Sequence, residues 1–186
     1  MTFENYLSEV EREAARVDGL VHEIPGLTSA QLNWRPSENS WSAGECFQHL
    51  IKINDYYIEH FKKAGEDPGK KVSELGKFKS TLGGKFVLRG VNPEQKFKAK
   101  TSREYNPINS NIDGNIIKKF LEQHQLIKSL AAKCRGADLN KIKIASPFTK
   151  LIRYNIGDAF MIVMLHNQRH ILQAKRVMEN PGFPGK

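Results

Sequence analysis

Four stretches of the chain repeat apolar residues at intervals of three and four, the period of a helix with one buried face. In the first, Phe3, Tyr6, Leu7, Val10, Ala14, Val17 and Val21 share a stripe, with Thr2 placed to cap it and Pro25-Gly26 to end it. The second opens on Ser42-Ala43-Gly44-Glu45, an S-x-x-E capping box, and runs through Phe47, Leu50, Ile53 and Tyr57 to about Ala64. The third starts near Asp113, carries Ile116, Ile117, Phe120, Ile127, Ala131 and Cys134, and is closed by Gly136. The fourth spans about 155–179, with Pro181-Gly182 beyond it. This pattern predicts an all-α chain, a four-helix bundle with elaborated inter-helix connections.

The connections differ in character. LTSAQLNWRPSENSW (27–41) is polar and anchored by Trp34, Pro36 and Trp41. The 65–112 connection contains Gly83-Gly84, Pro93 and Pro107, and its length marks it as a functional flap or a partly ordered segment. Phe78, Leu82, Phe86, Val87 and Leu88 imply that part of it packs. KIKIASPFTKLIRYN (141–155) suits a short extended piece. At 186 residues the chain is expected to form one domain, 1–186, with a core of its own.

Charge changes this picture in one place. The net charge is +9, and residues 62–103 hold twelve Lys/Arg against four Asp/Glu, nearly the whole excess. The plain reading is a solvated basic surface. The sharper one is a rim that attracts an acidic small molecule, with Arg153 and Arg169 as further candidates. A nucleic-acid or anion-binding module is the alternative function, but no recognised nucleic-acid motif accompanies the lysines. No apolar run reaches transmembrane length, so no membrane partner is expected. MTFENYLSEVERE is acidic and amphipathic rather than signal-like, and Cys46 and Cys134 form neither CxxC nor a disulfide framework. A cytoplasmic location is the expectation.

The candidate chemistry lies in the last helix. MLHNQRHILQ puts His166 and His170 four apart, within ~40° of each other on a helix, and on its apolar side. Two inward imidazoles need partners, and a shared metal ion is one way to satisfy both. HxxxH alone is a short pattern that a pair of packed histidines also fits. Asn167 stands where the zinc-protease motif HExxH has its general base, which disfavours a protease of that kind. A third ligand is needed, and the best candidate is His49, on the face of Ile53, Tyr56 and Tyr57 in the second helix. Glu45 and Cys46, one turn earlier, are candidates for supporting groups around the metal, although the capping box competes for Glu45. His124 reads as a hydrogen-bonded core histidine, the alternative being a place near the site. His60 is ~16 Å along the helix from His49, too far for the same ion. His22 reads as solvated, and both cysteines as small core residues.

These residues carry a resemblance. LNWRPSENSWSAGECFQHLIKINDYY and SPFTKLIRYNIGDAFMIVMLHNQRHILQAKRV resemble the two signatures of the DinB/YfiT-like superfamily: a Pro and Trp-Ser loop leading into a His-Leu helix, and a last helix bearing HxxxH. The likeness covers nearly the whole chain, the 65–112 connection excepted. It implies a four-helix bundle in which His49, His166 and His170 bind a divalent metal, zinc or alternatively nickel or another transition metal. It also implies a thiol-dependent S-transferase, using a low-molecular-weight thiol such as bacillithiol, or a metal-dependent hydrolase. Similar bundles often form dimers, which makes a homodimer a candidate assembly. Three imidazoles leave an open coordination position that suits water or a thiol equally, so the ligands alone do not choose between the two reactions.

Overall fold

The computed structural model describes residues 1–66, 76–95 and 101–185. The four long helices are α1 (Phe3–His22), α3 (Ala43–Glu66), α5 (Ile116–Lys133) and α6 (Ile156–Met178), with two shorter ones between them, α2 (Ser29–Asn33) and α4 (Leu82–Val91). The buried residues of α1 are the seven of its predicted stripe. The predicted caps form: Thr2 Oγ1 accepts from Asn5 N at 3.2 Å, and the Ser42/Glu45 box closes in both directions. Asn155 caps α6 by accepting from Asp158 N. The third helix starts three residues later than the sequence suggests, at Ile116, after Asn115. Gly136, at φ 80°, ends it in the left-handed conformation that glycine adopts without penalty.

Side-chain pairs along the helices give their directions. His124 of α5 and Arg135, just past its end, meet Ala14 and Glu4 of α1, so these two helices are antiparallel. Tyr6 donates to the Gly157 carbonyl and Gln168 to that of Glu13, so α1 and α6 run together. Phe61 stacks on Phe160, while His49 meets His166, so α3 and α6 are antiparallel. Phe47 packs on Phe120, and Gln123 reaches the Ile51 carbonyl and Asp55, so α3 and α5 are parallel. That last relation explains the long 65–112 connection. The 24-residue α3 is ~36 Å long, and a chain entering a parallel neighbour must retrace that length.

Within this connection the structure adds elements that the periodicity does not reveal. Gly83-Gly84 reads as a break in sequence, yet both lie inside α4, which packs on α6. A Cβ on Gly83 would overlap the Arg153 carbonyl, and one on Gly84 the Asp158 carboxylate, so close approach rather than a turn requires glycine here. Asp158 Oδ2 accepts from Thr81 N and Oγ1, each at 2.9 Å, which ties the start of α4 to the start of α6. Phe78, Val87 and Leu88 pack against the core as expected, whereas Leu82 and Phe86 are 86% and 67% exposed. Of the basic segment, residues 67–75 and 96–100 lie outside the described residues, and Lys77, Lys79, Lys85 and Arg89 are exposed. The expected extended piece is a hairpin, β1 (Lys143–Ala145) antiparallel to β2 (Arg153–Asn155), with Ile144 opposite Tyr154. No helix among the described residues is long and apolar enough to cross a membrane.

The Gly83 contact gives a direct test. Gly83→Ala is expected to lower the free energy of unfolding by about 1–3 kcal/mol, despite the better helix propensity of alanine, because the clash is with backbone. Urea denaturation measures it, with Gly26→Ala, which meets open space, as the control.

Candidate metal centre

The site begins at the N-terminus of α3. Glu45 is buried, and its carboxylate accepts from Ser42 N and from two nitrogens of Arg35, at 2.8 and 2.5 Å. Arg35 also donates to Asn109 Oδ1 at 2.6 Å, and Asn109 itself sits at φ 66°, where asparagine is among the tolerated residues. Glu45 therefore anchors the loop before α3 to the segment around 109, and that capping and ion-pairing role occupies both of its oxygens. Cys46 packs in the apolar cluster with Phe47 and Leu50, and burial pushes its thiol well above the ordinary range. Neither side chain joins the histidine cluster: Glu45 is held at the helix start, and Cys46 is a core residue.

One turn further along α3, His49 meets His166 and His170. A ligating nitrogen from each lies within 4.8 Å of the other two. The ring centroids form a compact triangle, 5.1 Å for His49–His166 and 4.6 Å for each of the other two pairs. His49 Nδ1 lies 2.8 Å from the Tyr105 carbonyl. A carbonyl only accepts, so Nδ1 carries the proton and Nε2 presents a lone pair inward. His170 Nδ1 is 2.9 Å from Gln173 Oε1, and the same reasoning frees its Nε2. His49 Nε2 and His166 Nε2 are 3.2 Å apart. Two nitrogens each ~2.05 Å from one tetrahedral ion stand ~3.3 Å apart, so the observed spacing fits a shared zinc-like cation.

Burial sets the charge state. It pushes His49 down to about 4 and His170 to about 3, in each case mainly through lost solvation. His166 falls well below its ordinary value for the same reason, reinforced by repulsion from the other two rings. All three are neutral near pH 7, the form that ligates. Trp41 covers the cluster, its ring 4.9 Å from that of His49 and 5.6 Å from that of His170, and its Nε1 donates to Asn106 Oδ1. His49 and His166 are buried while His170 is half-buried, so the cluster opens to solvent on the His170 side.

The other expectations sort cleanly. His124 is fully buried on α5, where Nε2 donates to the Ala14 carbonyl at 3.1 Å, and it is no part of the cluster. His60 is half-buried and packs its ring on Tyr56, and His22 is exposed. Cys134 is a core residue. Arg153 is exposed, and Arg169 donates to the carbonyls of Asn92 and Gln95. Sequence reasoning missed the parts played by Arg35, Tyr105, Asn106 and Asn109. Tyr105 acts through its backbone, and no residue spacing signals a carbonyl that comes into place 56 positions from its histidine.

Several buried polar atoms near this level have no hydrogen-bond partner: both amide atoms of Asn54 and of Asn167, His124 Nδ1 and His166 Nδ1. Left dry, each costs ~1–3 kcal/mol, a heavy load for a domain whose net stability is ~5–15 kcal/mol.

A helix bundle in which two long helices converge three neutral imidazoles on one point belongs to the class of histidine-cluster bundles able to hold a divalent ion. The family model of the DinB superfamily matches residues 9–174, and the chain belongs to that superfamily. The uncharacterized protein YuaE of Bacillus subtilis (strain 168) is 24% identical over 161 residues, covering 85% of this chain and 90% of that protein. No solved structure matches the chain.

The depressed histidines predict a pH dependence of the metal-free protein. The folded state binds fewer protons than the unfolded chain, whose imidazoles titrate near 6.5. Stability is therefore full above pH 6.5 and falls as the pH drops toward about 4, by up to ~1.4 kcal/mol per pH unit and site. Urea midpoints across that range measure the slope, which flattens in His49→Gln. A wild-type stability independent of pH there would contradict the buried, neutral assignment.

Proposed function

We propose that this protein is a divalent-metal-dependent enzyme in which His49, His166 and His170 are the ligands, and that it transfers a small thiol to an electrophile. The observation that carries the reading is the convergence of three neutral imidazoles without a carboxylate among them. When bound, zinc, or alternatively nickel, supplies Lewis acidity that favours the thiolate form of a coordinating thiol. A thiol activated in this way needs no general base. The cluster has none to offer: Glu45 is engaged by Arg35 and Ser42, and Asn167 cannot accept the proton. Tyr105 and Gln173 fix the tautomers of His49 and His170 with both lone pairs directed inward. Trp41 shields the cluster from water on one side.

Tyr105 also lines a surface pocket of about 590 Å³ with Tyr56, Phe148, Lys150 and Arg153. Its aromatic walls and its two cations, which outnumber the one acid in the lining, Glu104, suit a small molecule that carries an acidic group.

Two experiments test the reading separately. Protein purified without a histidine tag is expected to carry one equivalent of divalent metal, and His166→Ala to lose it, by elemental analysis; equal retention by the variant removes the ligand assignment. The metal-loaded enzyme is expected to consume a low-molecular-weight thiol and an electrophile together. Turnover of an ester or amide without thiol would instead identify a hydrolase.

A further inference from the structure

The two apolar clusters of the core stop at the same level of the bundle. One ends at Ala14 on α1, Ile53 on α3, Ile127 on α5 and Met164 on α6, and the other resumes at Val17, Leu50, Phe120 and Ile171. His124 and Asn167 stand between them on α5 and α6, and Asn54 follows Ile53 on α3; all three are fully buried. Each lies on the stripe that faces the bundle axis: Asn54 four residues from Leu50, His124 four from Phe120, and Asn167 four from Val163 and Ile171. Their amide atoms and the Nδ1 of His124 have no protein partner, and neither has the Nδ1 of the adjacent His166.

We propose that this layer is an internal water-binding site, and that its water is the hydrogen-bond partner of His166 Nδ1. The inference rests on the metal-centre reading for its function, but the water itself does not. The groups are complementary. His124 donates through Nε2 to Ala14, so its Nδ1 is a bare acceptor. Asn54 and Asn167 each offer a donor and an acceptor. Buried polar groups left unpaired by protein are ordinarily satisfied by such waters.

The reason for water, rather than a fixed carbonyl, follows from His166 itself. His49 and His170 have their tautomers locked by Tyr105 and Gln173. In the metal-free protein, His49 Nε2 is a lone pair, so at 3.2 Å His166 must place its proton on Nε2 and leave Nδ1 bare. With a metal held at that Nε2, the neutral ring would instead carry its proton on Nδ1, released at one nitrogen and regained from water at the other, with no change in charge. Its partner must donate in the first state and accept in the second. A carbonyl cannot do both; a water held by two amides can, by turning. Asn54 and Asn167 are thus positioning residues for the third ligand. A metal-ligating histidine whose second nitrogen loses its partner typically weakens binding by ~10–100-fold.

Three readouts on the full chain test this. A high-resolution crystal structure of the metal-free protein is expected to contain water within hydrogen-bond distance of His166 Nδ1, bridged to Asn54 or Asn167; a dry layer overturns the proposal. Nitrogen-15 NMR of the imidazoles is expected to report an Nε2–H tautomer for His166 without zinc and an Nδ1–H tautomer with it; an unchanged tautomer overturns the switching role. Asn54→Leu and Asn167→Leu are expected to bind zinc ~10–100-fold more weakly in chelator competition, with Asn54→Ser, which leaves a hydroxyl and room for water, recovering part of the loss. Folded leucine variants with wild-type affinity refute the support. If those variants do not fold, the wild-type crystal decides, and if the protein takes up no zinc, the metal reading falls while the metal-free crystal still judges the water.

Discussion

The antiparallel packing of α3 on α6 sets where three imidazoles can meet, and most of the site follows from it. The stack of Phe61 on Phe160 fixes the register at one end of the pair, and His49 then falls opposite His166 and His170 about three turns away. Buried among the helices, the rings lose their affinity for protons, so they stay neutral and keep lone pairs for a cation. The same burial that would make isolated polar groups costly makes them good ligands. Burial thus leaves the three rings in the form that a cation can use.

The irregular segments hold this arrangement together. The loop before α3 supplies Arg35 and Trp41, and the segment 105–109 supplies a carbonyl and two asparagine side chains. Together they tie down the start of α3, orient His49 and wall the cluster. The connection that brings 105–109 there is long because α3 and α5 are parallel. The topology thus delivers extra chain to the part of the bundle where the three histidines converge, and the fold uses it to support them. α4, clamped by Asp158 onto the start of α6, occupies the same connection.

The interior does not follow the usual rule of continuous apolar packing. Where its two apolar clusters meet, Asn54, His124 and Asn167 are fully buried. An aliphatic layer there would pack at least as well. A polar layer beside His166 instead keeps that imidazole free to exchange which nitrogen bears its proton, at a cost that the proposed water offsets.

Periodicity and capping residues determined the four long helices, the α1 stripe and the starts of α3 and α6, because these depend on contacts within a turn or two of chain. The three histidines were legible too, since a helix sends residues four apart to one face and the apolar side of each segment identifies the interior. What only tertiary structure decided involves partners far apart in sequence. The helix containing Gly83-Gly84 exists because backbone must pass close to Arg153 and Asp158, and short-range propensity argues against it. Leu82 and Phe86, apolar in sequence, face solvent because α4 turns its other side to α6. Arg35 holds Glu45 at the start of α3, and the proton on His49 was assigned by a carbonyl from residue 105. Local pattern specifies which faces are buried; which nitrogen is free to bind depends on hydrogen bonds that exist only once distant segments have met.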